Sequence, residues 1–213
     1  MKIEIWSDFA CPFCYLGKKR LERALAQLPH LTDVQIRFRS FELDPHAPID
    51  VDMDVYDMIS SKYGISREQA MEMNSQIADQ AKQVGLIYDF DHMILTNTFD
   101  AHRLTHMAER YGKQAEMTEL LFRAYFTEAK HIGRHETLLA MAKQIGLPRD
   151  ETEKMLAGDA FADEVRQDER DAAKLGIRAV PFFVFNRKFA VSGAQPEEVF
   201  VEALKKAWEH QPS

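Results

Sequence analysis

The chain has 213 residues, 46% apolar and 29% charged, with a formal net charge of −7. This balance suits a globular protein with a sizeable core, as one domain carrying a large insertion or as two small domains. An acidic chain without a concentrated basic block excludes the electrostatic footprint of a nucleic-acid binder and of a basic membrane-surface helix. No segment approaches the ~18 apolar residues of a membrane span.

The N-terminus reads MKIEIWSDFACPFCY. Asp8 and Cys11 arrive before any apolar stretch of signal-peptide length, so a cytoplasmic location is expected. Lys2 to Ser7 alternates apolar and polar residues, with Ile3 and Ile5 on one face, which is strand periodicity. Cys11 to Leu28 reads as a helix with Leu16, Leu21, Leu25 and Leu28 near one side, and Pro12 fits its first turn. Val34, Ile36 and Phe38 then alternate with polar residues as a second strand. The β-α-β order implies that the two strands run parallel.

A Pro- and Asp-rich break over residues 44–54 leads into a run of helical periodicities. Ser66 and Gln69 form a capping box ahead of Ala70, Met73, Ile77, Ala81 and Val84, and Gly85 ends the run. Further helices are marked by Ala101 to Tyr111, Leu120 to Tyr125 and Leu138 to Ile145, and Pro148 opens another. A long helix spans Phe161 to Leu175 and stops at Gly176. Phe182 to Phe185 and Lys188 to Ser192 read as an antiparallel hairpin about Asn186–Arg187, a weaker turn pair than Asn-Gly. Pro196 opens the last helix.

Without the block at 50–158, the order is that of a thioredoxin-like core. The expected fold class is therefore α/β: a thioredoxin-like fold, residues 1–49 and 159–213, with a large all-helical insertion at 50–158 that caps one end of the sheet.

Only two cysteines occur, Cys11 and Cys14. Thiol–disulfide exchange needs one accessible sulfur that ionises readily and a second close enough to resolve the mixed disulfide. A Cys-x-x-Cys opening a helix supplies both, because the free N–H groups of the helix terminus stabilise a thiolate there. Cys11 is thus the expected nucleophile and Cys14 the shielded resolving thiol. Zinc at this pair would need further ligands, and no second cysteine pair exists. Val180–Pro181 stands just before the hairpin. In a thioredoxin fold a cis-proline at this place faces the dithiol and offers the backbone of the preceding residue to an extended substrate. A trans proline opening a strand is the plain alternative.

The segment Asp8-Phe9-Ala10-Cys11-Pro12-Phe13-Cys14-Tyr15 resembles the active-site segment of the DsbA family, most closely its FrnE-like branch. Arg39-Ser40-Phe41-Glu42-Leu43-Asp44-Pro45, Asn97-Thr98 with Ala101-His102-Arg103, and Val191-Ser192-Gly193-Ala194-Gln195 agree with it. The resemblance implies a thioredoxin domain with a helical insertion. It also implies a disulfide oxidoreductase acting on thiol- or disulfide-bearing proteins or small molecules, glutathione among them, with no cofactor. It places Asn97, His102 and Arg103 with Val180, Pro181 and Phe13 among substrate-binding residues. Pro12-Phe13 departs from DsbA, which has a histidine between its cysteines, so strong oxidising power does not carry over. Phe13 is expected to be exposed and Trp6 to be core.

His102 and His106, one helical turn apart with Glu109 beyond, lack an HExxH pattern, and no metal is expected. Two other functions stay open. One is a glutathione-dependent isomerase or transferase of the 2-hydroxychromene-2-carboxylate isomerase or kappa-class type, which typically carries serine where Cys11 stands. The other is a non-catalytic adaptor or holdase.

Overall fold

A computed structural model describes residues 1–210. The chain divides into two compact units: Met1–Leu43 together with the described residues from Asp163 onward, and Asp44–Ala162.

The first unit is built on a sheet of four strands: β1 (Lys2–Ser7), β2 (Gln35–Ser40), β3 (Phe182–Phe185) and β4 (Phe189–Ser192). Their order in the sheet is β2-β1-β3-β4. β1 and β2 are parallel, joined through α1 (Pro12–Ala26), as the crossover requires. β3 runs antiparallel to both β1 and β4. Ile3, Ile5, Phe38, Phe183, Phe185 and Val191 line one face and bury against Leu21 of α1 and Phe200 and Leu204 of the last helix. Phe183 and Phe200 meet edge to face at 4.8 Å between ring centroids, the arrangement that aromatic quadrupoles favour.

The opposite face departs from the simple alternation of the sequence. Glu4 and Trp6 point there, and both are buried. A helix following the insertion covers them through Ala172, with Ile177 and Val184 completing a smaller core. The hairpin turn places Asn186 and Arg187 both at positive φ, 50° and 54°. Asparagine tolerates that region; arginine adopts it at a cost.

The second unit is helical, with no strand among its described residues. It holds α2 (Val55–Tyr63), α3 (Arg67–Gln83), α4 (Phe99–Arg110), α5 (Gln114–Phe126), α6 (His135–Gln144) and α7 (Arg149–Ala157). The capping box at α3 forms as its sequence dictates: Ser66 accepts from the Gln69 N–H while the Gln69 side chain accepts from the Ser66 N–H. Phe122, Tyr125 and Phe126 of α5 are fully buried in this unit. The chain returns to the sheet through α8 (Ala162–Lys174) and ends on α9 (Glu197–Glu209).

Candidate active site

β1 ends at Ser7, and a three-residue turn delivers Cys11 to the N-cap of α1. Pro12 occupies the first helical turn, where its missing N–H costs no hydrogen bond. The turn is held by Asp8, whose buried carboxylate accepts from the Leu43 N–H at 2.7 Å and the Ala10 N–H at 3.3 Å. Its carbonyl accepts from the Cys11 N–H at 3.2 Å.

Both cysteines are free thiols, 3.4 Å apart. Cys14 is 2% exposed. Burial pushes its thiol well above the ordinary range, and the neighbouring Cys11 pushes the same way. A Ser7 side-chain hydrogen bond and the Asp8 backbone act in the opposite direction. Cys11 is 5% exposed, less open than the accessible sulfur that exchange chemistry suggests. The cause is local: its thiol donates to the Val180 carbonyl at 3.6 Å, so the Val180–Pro181 segment closes over it. The Val180–Pro181 bond is cis.

That segment is fixed from three sides. The Pro181 carbonyl accepts from the Gly193 N–H at 2.8 Å, and Gly193 sits at a φ of 80°, a conformation that glycine adopts without strain. Arg20 of α1 donates to the Ala194 carbonyl at 2.5 Å. Gly17 of α1 lies against Pro181: a Cβ there would stand 3.0 Å from Phe183 Cζ and 3.1 Å from Pro181 Cγ. Gly17 and Arg20 escaped the sequence reading. A glycine inside a helix costs about 1 kcal/mol relative to alanine, which was the available signal that a close approach required it.

The structure thus brings Cys11, Cys14, Val180 and Pro181 together. Phe13, between the cysteines, is 39% exposed, an aromatic surface beside the dithiol. Trp6 is fully buried, and its Nε1 donates to the Asp168 carbonyl.

Asn97, His102 and Arg103 belong to the helical unit. Asn97 donates to the Ala47 carbonyl and accepts from the Phe99 N–H, lining a pocket of about 350 Å³ with Pro48, Phe99 and Asp100. His102 is buried in α4. Arg103 is buried with all three guanidinium nitrogens engaged: Nε on the Ala160 carbonyl, one Nη on Asp100, and the other on the Met155 and Gly158 carbonyls. These bonds tie α4 to the end of α7. His106 Nδ1 stands 3.7 Å from Glu109. Among the described residues no group of three or more His, Cys, Asp or Glu is placed to hold a metal ion.

A four-stranded mixed sheet with a dithiol at the start of α1 and a helical insertion after β2 is a thioredoxin-like fold of the DsbA type. Residues 2–205 match the DSBA-like thioredoxin domain, and the chain belongs to that family. It is 28% identical over 204 residues to the uncharacterized protein YwbO of Bacillus subtilis (strain 168), covering 95% of this chain and 94% of that one. A probable DsbA oxidoreductase from Streptomyces coelicolor is 44% identical, with a TM-score of 0.95 over 100% of this chain and 92% of that one. The cytosolic disulfide reductase DsbM from Pseudomonas aeruginosa, solved with GSH, shares the fold at 17% identity and a TM-score of 0.70, covering 98% of this chain and 100% of that one.

Proposed function

We propose that the chain exchanges disulfides with thiols of proteins or small molecules, Cys11 acting as nucleophile and Cys14 as resolving thiol. The observation that carries the reading is the pair itself: two free thiols 3.4 Å apart at the start of a helix, with the Val180 carbonyl on Cys11. Cys11 is the outer sulfur and Cys14 the inner one, held protonated by burial. A Cys11 thiolate or mixed disulfide has no proton to donate. The Val180 carbonyl is then released to accept from a substrate N–H, which couples the state of the sulfur to strand-like docking. The exposed Phe13 ring favours substrates with apolar surface next to their sulfur.

The same chemistry admits glutathione as a thiol partner, and a reducing cytoplasm is the compartment in which a two-cysteine chain of this type would work. No described helix is long and apolar enough to cross a membrane.

The test is turnover of insulin or a small disulfide, with non-reducing mass analysis of each variant. Cys14→Ser is expected to attack normally and accumulate covalent adducts on Cys11. Cys11→Ser is expected to lose both attack and turnover. Turnover nearly unchanged in Cys14→Ser would point to glutathione-dependent isomerase chemistry instead. Partner retention without turnover in every form, the wild type included, would point to an adaptor. Undiminished turnover in Cys11→Ser would falsify the dithiol mechanism.

A further inference from the structure

We infer that Arg20 is a positioning residue for peptide substrates: by donating to the Ala194 carbonyl it holds the Val180 docking edge in place beside Cys11. The inference deepens the dithiol reading and rests on it, and it names extended peptide disulfides as the substrates that use this edge.

The docking edge is not held by the sheet itself. β3 begins at Phe182 and β4 ends at Ser192, and these two residues form the last registered pair between the strands. Val180 and Pro181 lie before that pair, and Gly193 and Ala194 lie after it. The two overhangs meet through the Gly193 N–H, which donates to the Pro181 carbonyl at 2.8 Å. Gly193 supplies the bend at a φ of 80°, and a glycine backbone is freer than that of any other residue. Helix α1 anchors it from the next residue. Gly17 and Arg20 stand three positions apart in α1, on one face of the helix. Gly17 permits the close approach: a Cβ there would stand 3.1 Å from Pro181 Cγ and 3.4 Å from Ala194 Cα. Arg20 then reaches the Ala194 carbonyl with Nη1 at 2.5 Å. The same helix carries Cys11 at its N-cap, and the Cys11 thiol donates to the Val180 carbonyl at 3.6 Å. The nucleophile and the docking edge are thus both referred to α1.

An extended chain must present a sulfur to Cys11 and a backbone N–H to the Val180 carbonyl at the same time. An edge fixed beforehand needs no ordering when the substrate binds. A small disulfide without a peptide backbone makes no use of it. In the attack, the Cys11 thiolate sulfur bonds to the peptide sulfur. The substrate S–S bond breaks, and its electron pair leaves with the other sulfur. The proton lost by Cys11 passes to solvent. Arg20 takes no part in these bond changes, so its loss is read in docking.

The experiment uses the full-length reduced protein in single turnover. Two substrates carry the same coloured aromatic thiol in a mixed disulfide, one on a cysteine within an extended peptide, the other on free cysteine. Arg20→Ala is expected to raise the half-saturating peptide concentration roughly tenfold or more, the loss expected for one hydrogen bond from a charged donor, with the limiting rate unchanged. Its rate on the free-cysteine compound, and the pH profile of that rate, are expected to match the wild type, which also reports an intact fold. Arg20→Lys, which keeps a cationic donor, should recover most of the peptide affinity. Arg20→Met, which keeps an apolar stem without the donor, should not. Where Arg20→Ala does not fold, the lysine and methionine variants make the same comparison. A wild-type half-saturating concentration in Arg20→Ala or Arg20→Met overturns the role of Arg20. Equal slowing on both compounds, or a moved pH profile, also overturns it, because Arg20 would then act on the sulfur or on the fold at large. Release of the aromatic thiol by Cys11→Ser at the wild-type rate overturns the dithiol reading itself, so the two failures are distinct.

Discussion

Glu4 is a carboxylate on a central strand, 1% exposed, with three charged neighbours on the covered face of the sheet. Arg39 donates to it at 3.0 Å through Nε, Arg187 donates at 2.7 Å, and Arg39 bridges onward to Asp168 at 2.7 Å. Burial by itself would push the Glu4 carboxyl up, but the hydrogen bonds from Arg187 and Arg39 outweigh it and hold the group at about 2, against an ordinary 4.5. The sign of the linkage follows. The folded state binds this proton less readily than the unfolded state, so the stabilisation is complete above about pH 4.5 and is lost as pH falls toward about 2. The difference corresponds to about 3 kcal/mol. Denaturant melts between pH 7 and pH 2 are expected to show this loss, and Glu4→Gln should be less stable at pH 7 and flatter across the acid range. An acid limb of equal steepness in both proteins would remove Glu4 from the account. In the sequence Glu4 is simply the polar member of an alternating strand. Its burial is decided by α8, which arrives from far along the chain to cover that face.

At the scale of elements, the contact between α1 and the Val180–Pro181 segment depends on one missing side chain. Gly17→Ala places a methyl group 3.0 Å from Phe183 Cζ and 3.1 Å from Pro181 Cγ, and neither neighbour is the free end of a flexible chain. The expected result is a stability loss of about 1–3 kcal/mol by overpacking. Cys11 and Pro181 should also move apart, visible as slower attack on a disulfide substrate. A variant of wild-type stability and rate would show that α1 has room to shift. The hairpin carries a second element-scale balance. Arginine at position 187 sits at a φ of 54°, where glycine would be less strained, yet its guanidinium holds Glu4 with two hydrogen bonds. Arg187→Gly should relieve about 1 kcal/mol of backbone cost and lose about 1.5–3 kcal/mol from a hydrogen bond to a buried charge. The net is destabilising at pH 7, and the deficit should shrink as Glu4 is protonated. The weak turn signal of Asn-Arg in the sequence has its reason here: the second residue is set by Glu4 rather than by the turn.

Across the whole molecule, the helical unit is held by buried polar groups as much as by its aromatic core. Arg103→Leu would strip the Ala160, Met155 and Gly158 carbonyls of their donor and deprive Asp100 of its guanidinium partner, leaving it the His135 Nε2 at 2.8 Å. A loss of about 3 kcal/mol or more is expected. Amide hydrogen exchange should accelerate in α4 and α7 and stay unchanged in β1 and β3. Uniform acceleration throughout the chain would mean that the two compact units unfold as one.

The order of strands and of most helices, the parallel β1–β2 crossover, the capping box at Ser66 and the position of the dithiol at a helix start are legible in the amino-acid sequence, whereas the short α2 ahead of Ser66 is not separately marked there. Each legible feature depends on residues within one or two turns of one another, where periodicity and capping chemistry act. What the tertiary structure alone decided is long-range: Glu4, Arg39, Asp168 and Arg187 meeting on one buried face, Gly17 against Pro181, and the Val180 carbonyl closing over Cys11. Arg103 shows the same limit from the other side. Besides Asp100 one turn before it, its partners are the Met155, Gly158 and Ala160 carbonyls, more than fifty residues away at and just beyond the end of α7. Burial and charge pairing depend on which surfaces the fold brings together, and a local pattern of apolar and polar residues carries no information about a partner that distant.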